Sequence, residues 1–212
     1  MSKELVKRIL SSIILIPIAL FFVIMGSFLF IFFISVCFCI IFYEWHMMSR
    51  KKNYNIYGFI FLTFSFVSIY QLQFNSDIEP FWLLFIIIVC VSTDVGGYIF
   101  GKIFKGPKLT KFSPKKTYAG MIGGYLLSLI FISIINTLLV NQELPISWLV
   151  FALLISTVSQ IGDIIVSYFK RLAKIKDTGK IIPGHGGLLD RVDGMIFAFP
   201  FSYIFILNSF LV

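Results

Sequence analysis

Residues 9 to 43 are almost continuously apolar, and one helix over them would be about 50 Å long, against a hydrocarbon core of roughly 30 Å. Two crossings are therefore required, and Gly26-Ser27 is the natural break, giving helices near 9–25 and 28–45. The polar patch Ser49-Arg50-Lys51-Lys52-Asn53 precedes a third run from Ile56 to about Phe74, and a gap with Asn75, Asp77, Glu79 and Pro80 comes next. The fourth run begins at Phe81, meets Ser92-Thr93-Asp94-Val95-Gly96-Gly97, and regains apolarity to Phe104. After a loop stopped by Pro107 and Pro114, a fifth run extends from Tyr118 to Val140, entered through Gly120, Gly123 and Gly124. Glycines at this spacing let a helix backbone approach another helix or a ligand closely, with helix packing the commoner purpose, and they also permit a homodimer contact. The sixth run spans Trp148 to about Phe169, interrupted by Ser159, Gln160 and Asp163, and the seventh spans Gly187 to Val212. The pattern predicts an all-α, polytopic transmembrane bundle of about seven spans.

Composition agrees: 58% of residues are hydrophobic and 13% charged, about half the charged fraction of a soluble domain. The formal charge of +8 is decided by its placement. With alternating loops, all 18 Lys and Arg residues fall at the N-terminus or after spans two, four and six, while Asp77, Glu79 and Glu143 fall on the other side. The positive-inside rule puts the N-terminus and the basic loops in the cytoplasm. Such charge fits anionic lipid or an anionic substrate, with no call for nucleic acid. The N-terminal basic residues precede an apolar run too long for a cleaved signal, so a retained anchor is expected. Cys37, Cys39 and Cys90 read as buried hydrophobes, and Trp45, Trp82 and Trp148 as interfacial anchors.

This topology brings four carboxylates to one level near the cytoplasmic interface. Asp94 and Asp163 lie near the inner ends of spans four and six; Asp190 and Asp193 open span seven and, three residues apart, should share a helix face. In span six, Asp163 and Ser167 are four apart, and Lys170 and Arg171 continue that face. Ionisable groups this deep mark a functional site. Magnesium is commonly held by one or two carboxylates with waters and substrate phosphates, so two or more of these aspartates suit Mg2+ beside a phosphorylated substrate. Phosphoryl or nucleotidyl transfer needs charge neutralisation and in-line placement more than a strong base. Gly184, Gly186 and Gly187 would let backbone N–H groups face an anion. Taken singly, a basic loop is often only a topology signal, and a lone intramembrane aspartate also suits a transporter.

The stretch from Ser167 to Asp193 carries a longer pattern: Ser167, Phe169, Lys170, Arg171, then Lys176-Asp177, the Pro183/His185/Gly186/Gly187 turn, and Asp190, Arg191 and Asp193. It resembles the signature of the phosphatidate cytidylyltransferases (CDP-diacylglycerol synthases), as do TDVGGYIFG from Thr93, SPKKTYAG from Ser113 and QIGD from Gln160. The resemblance covers roughly the C-terminal 60% of the chain. It implies that CTP and phosphatidic acid give CDP-diacylglycerol and pyrophosphate, with Mg2+, at the cytoplasmic face of the cell (inner) membrane. It implies metal binding by Asp163 and Asp190, with Asp94 and Asp193 as further carboxylates. Lys170, Arg171, Lys176 and Arg191 would hold triphosphate or lipid phosphate. Ser113, Lys115, Lys116, Thr117, Ser167 and His185 are further candidates for nucleotide or phosphate contact. On this reading residues 1–80 form N-terminal membrane helices. Residues 81–212 form the catalytic region, with cytoplasmic loops 101–117 and 170–188. A transporter would need polar residues at mid-membrane in several spans and an internal repeat, and neither is evident. The aspartate spacing of a CDP-alcohol phosphotransferase is absent, and a structural scaffold would not explain four aspartates at one depth.

Overall fold

A computed structural model of the chain describes residues 17–110, 113, 116–140, 145–182 and 186–208, residues 139 and 140 by their backbone alone. The described residues are helical, joined by turns and two isolated backbone bridges. We number the helices α1 (17–25), α2 (Ser27–Ser49), α3 (Asn55–Phe74), α4 (Phe81–Phe104), α5 (Tyr118–Ile135, continued by a π turn Asn136–Val140), α6 (Ile146–Leu172), α7 (Leu189–Val192) and α8 (Met195–Asn208). Among the described residues, five stretches are long and apolar enough to cross a membrane: Ser27–Ser49, Asn55–Phe74, Phe81–Phe104, Tyr118–Leu138 and Ile146–Leu172. They coincide with expected spans two to six, and the chain is a multi-pass membrane protein. The first expected span is described only from residue 17. The last differs from its expected course, because the polar turn at Asp193-Gly194 splits it into α7 and a 14-residue α8. Asp193 therefore lies beyond the end of α7 and does not continue the helix face of Asp190.

The break at Gly26 is a backbone event. Gly26 and Ser27 have φ of 56° and 61°, in the left-handed region that glycine enters freely and serine does not. The chain forms two compact units, Met1–Tyr70 with Lys170–Val192, and Gln71–Phe169 with Asp193–Val212.

In the first unit, Phe30, Ile34, Phe38, Ile41, Trp45 and Met48 are buried on α2 at intervals of three and four, the spacing of one helical stripe. Phe38 and Phe42 meet Phe66 and Phe59 of α3 at ring-centroid distances of 5.0 and 5.7 Å. Trp45 is also buried, lying where a side chain on Gly58 would be and donating Nε1–H to the Asn55 carbonyl at 3.0 Å. α6 ends in a Schellman turn, in which the Lys174 and Ile175 amides donate to the Arg171 and Lys170 carbonyls. Lys174, at φ 58°, occupies the left-handed position where glycine is usual.

In the second unit, α4 and α5 cross backbone to backbone. A Cβ on Gly96 would lie 2.9 Å from the Gly123 carbonyl carbon and closer still to its oxygen, and one on Gly120 would lie 2.7 Å from the Gly97 oxygen. The glycines of the fifth run thus serve close helix packing. Trp82, Phe85, Trp148 and Phe151 form an aromatic cluster that continues to Phe205 of α8. Trp82 is buried within it and is not a lipid-facing anchor; a large ring gains more from such packing than from the interface. Cys90 is buried as expected, but Cys39 is exposed and Cys37 half-buried.

Candidate active site

The first unit carries a compact polar cluster where the sequence concentrates its signature. Lys170, on the last turns of α6, is buried despite its charge, and its Nζ donates to Asp190 Oδ1 at 2.9 Å. Their side chains are 10% and 3% exposed, so little water screens the pair. The second carboxylate oxygen, Asp190 Oδ2, accepts from the Thr178 and Gly187 backbone amides at 2.7 and 3.0 Å. The Gly187 N–H does face an anion, and that anion is Asp190 itself. Ile182 and Gly186 exchange two backbone hydrogen bonds of 3.0 and 3.2 Å, and Gly186 has φ 90°. A Cβ on Gly186 would come within 2.9 Å of Asp190 Oδ2. Two constraints thus fall on one residue, a backbone in the left-handed region and a carboxylate pressed against it.

Around this pair, Arg171, Lys176, Asp177 and Arg191 are exposed. Arg171 Nη1 donates to the Ile175 carbonyl at 3.0 Å. Exposed cations beside a buried ion pair form a positively charged rim that anionic oxygens can reach from solvent. His185 lies outside the described residues, as does Lys115.

The second unit holds the other group of expected residues. Asp163 Oδ2 pairs with Lys116 Nζ, and Ser167 Oγ reaches Asp163 Oδ1 at 3.5 Å. The Asp163 and Lys116 side chains are 28% and 23% exposed, so this carboxylate stays open to a further ligand. Lys116 belongs to a loop closed on itself: Leu109 donates to the Lys116 carbonyl at 2.8 Å, and Tyr118 to that of Pro107 at 3.2 Å. Thr117 caps α5, its side chain accepting from the Gly120 amide at 3.1 Å. The Ser113 amide donates to Thr110 Oγ1 at 3.2 Å. Asp193 is buried, with Oδ1 accepting from the Gly194 amide at 3.0 Å, and Asp94 is exposed on α4. Among the described residues, no three His, Cys, Asp or Glu side chains gather as a metal cluster.

A model described as the cytidylyltransferase family matches residues 6–80 and 66–209, which is most of the chain. The chain belongs to the cytidylyltransferase family. Members similar to it include the phosphatidate cytidylyltransferases of Brucella suis biovar 1 (strain 1330), Rickettsia prowazekii (strain Madrid E) and Bacillus subtilis (strain 168). The first is 35% identical over 177 residues, covering 82% of this chain and 63% of the relative. For the second the values are 36% over 179 residues, 79% and 76%. For the third they are 35% over 167 residues, 74% and 61%. The chain thus spans less than two-thirds of the length of the Brucella suis and Bacillus subtilis proteins.

Among the described residues of this cytidylyltransferase-family chain, the most buried acidic residue is not one expected from sequence. Glu44 of α2 is 1% exposed. Its Oε1 accepts from the Leu188 amide at 3.0 Å, and its Oε2 from the Leu189 amide at 2.8 Å and Thr178 Oγ1 at 3.0 Å. The only signal in the sequence is an acid at the end of an otherwise apolar run, Tyr43-Glu44-Trp45.

Proposed function

We propose that this protein is a phosphatidate cytidylyltransferase, transferring CMP from CTP to phosphatidic acid to give CDP-diacylglycerol and pyrophosphate. The observation that carries the reading is the Lys170–Asp190 pair wrapped by the Thr178 and Gly187 amides, built from the residues that spell the signature of a family whose curated members bear that name. A phosphate monoester is already anionic near neutral pH, so its oxygen attacks the α-phosphorus of CTP without a dedicated base, and pyrophosphate leaves. Lys170, Arg171, Lys176 and Arg191 would neutralise the triphosphate or lipid phosphate. Lys116, with Ser113, Lys115, Thr117, Ser167 and His185, would contact nucleotide or phosphate.

For Mg2+, the donor set fits an ion held by few protein oxygens and completed by phosphates and water. Asp163 offers a carboxylate that is partly open. Asp190 would take part by releasing Lys170, and Asp94 and Asp193 are secondary candidates. When bound, the ion would supply charge neutralisation at the phosphate oxygens. The one-sided loop lysines support a reading with about seven spans in which the N-terminus and the site face the cytoplasmic side of the cell (inner) membrane. A lipid substrate requires a site at the bilayer interface, and a cytoplasmic nucleotide requires that it open inward.

The test is conversion of phosphatidic acid by the purified protein in detergent, with CTP and ATP in parallel, each with magnesium and with a chelator. Magnesium-dependent, CTP-specific formation of CDP-diacylglycerol and pyrophosphate is expected. Folded protein that turns over neither nucleotide refutes the reading.

A further inference from the structure

Burying a carboxylate costs several kcal/mol unless its oxygens find donors. Glu44 finds three, two consecutive amides at Leu188 and Leu189 and the Thr178 hydroxyl, and among the described residues no Lys or Arg forms an ion pair with it. The chain also makes room for it. A Cβ on Gly179 would lie 2.6 Å from Oε1, and one on Gly187 would lie 2.6 Å from Oε2. Glycine on both sides thus leaves space that a larger residue would fill with a clash.

The groups that grip Glu44 adjoin those that hold Asp190, and Thr178 serves both. Thr178 gives its hydroxyl to Glu44 and its amide to Asp190. Gly187 gives its amide to Asp190, and the next two amides go to Glu44. One buried acid therefore fixes both ends of the loop from Thr178 to Leu189 against α2.

We propose that Glu44 is a positioning residue for the nucleotidyl-transfer site. Its carboxylate holds Thr178 at one end of the loop, and Leu188 and Leu189 at the other, in the arrangement that presents Asp190 to Lys170. This role rests on the reaction proposed above, in which the Lys170–Asp190 pair meets phosphate or metal. Glu44 itself touches no substrate; it acts through the loop.

Two substitutions separate acceptor chemistry from space filling. Glu44→Gln keeps the volume but turns one acceptor into a donor that faces N–H and O–H donors. Glu44→Asp keeps the charge but shortens the arm. If Glu44 positions the loop, Glu44→Gln loses about a hundredfold in turnover, the scale of a misplaced catalytic group. Glu44→Asp then recovers to within about tenfold of wild type, because charge-assisted hydrogen bonds survive. Mere packing predicts the reverse order, and that order overturns the proposal. A second readout needs no turnover: trypsin cleavage after the exposed Lys176 and Lys180 should speed up in Glu44→Gln while cleavage after Lys105 is unchanged. Wild-type cleavage and wild-type turnover in Glu44→Gln also overturn the proposal. Should Glu44→Gln fail to fold, Thr178→Val removes only the hydroxyl donor. It should lower turnover about tenfold, one lost hydrogen bond to a charged group, and wild-type behaviour there is equally fatal. A wild-type chain that is folded but inactive refutes the reaction and with it the positioning role, while the cleavage pattern still decides whether Glu44 holds the loop.

Discussion

Changing Asp190 to Asn replaces one oxygen of a buried ion pair with an amide nitrogen. The carboxylate accepts at both oxygens, from Lys170 Nζ on one side and from the Thr178 and Gly187 amides on the other. Asparagine has one oxygen, so whichever way its amide turns, an NH2 faces a donor. Breaking a buried pair by removing one partner costs about 3–5 kcal/mol, and with the Lys170 side chain 10% exposed the lower end applies, about 3 kcal/mol. At about 1.4 kcal/mol per tenfold, local opening of the loop becomes about a hundredfold easier. Hydrogen exchange of the detergent-solubilised protein reads this directly, at amides 178 and 187, with α4 and α5 as internal reference. Lys170→Met should have a comparable effect from the other side. The double variant should cost less than the sum by about 1–2 kcal/mol, because the second change removes the stranded partner of the first. Exchange at those amides within about threefold of wild type in Asp190→Asn, or strict additivity, would refute the reasoning.

Gly96→Val drives a branched side chain into the Gly123 carbonyl, and overpacking of this kind costs about 1–3 kcal/mol. The buried Cys90 should then react with a thiol dye at lower temperature during heating, and an unchanged midpoint would show that the crossing tolerates a side chain. Lys174→Gly relieves a left-handed lysine and should raise the unfolding midpoint by the equivalent of about 1 kcal/mol; a fall would mean that the lysine side chain outweighs its backbone strain. Asp163→Asn should raise the magnesium requirement or eliminate turnover, and an unchanged metal titration would remove Asp163 from the metal site.

The spans and their main break are legible in the sequence because both obey local rules: apolar length against bilayer thickness, and a glycine where two crossings must be joined. The close-packing face of α5 is legible for the same reason, in small residues at helical spacing, although the sequence does not say that α4 is the helix that meets it. Trp45 and Trp82 depart from expectation because hydropathy does not separate a side chain that faces lipid from one that faces protein; both environments are apolar. The exposed Phe28 and Ile103 and the buried Phe30 and Ile86 look alike on any such scale. Glu44 escapes sequence reading for a different reason. Its partners lie 134 to 145 positions away, and nothing local distinguishes a buried acid from one that ends a helix in water. The split at Asp193-Gly194 is hidden in an apolar run whose aspartates, by spacing alone, suit one helix face.

The α4–α5 crossing also bears on the loop it carries. Contact there brings carbonyls and Cα atoms of the two backbones together beside a few side chains such as Phe100 and Thr93, and the pair is held by close van der Waals fit where lipid offers no hydrophobic drive. A bilayer that thickens or thins will tilt a lone helix, but these two can only tilt together. Lys116 and Thr117, at the entry of α5, ride on two helices locked to each other, and Lys116 keeps its reach to Asp163 while the membrane around it changes thickness.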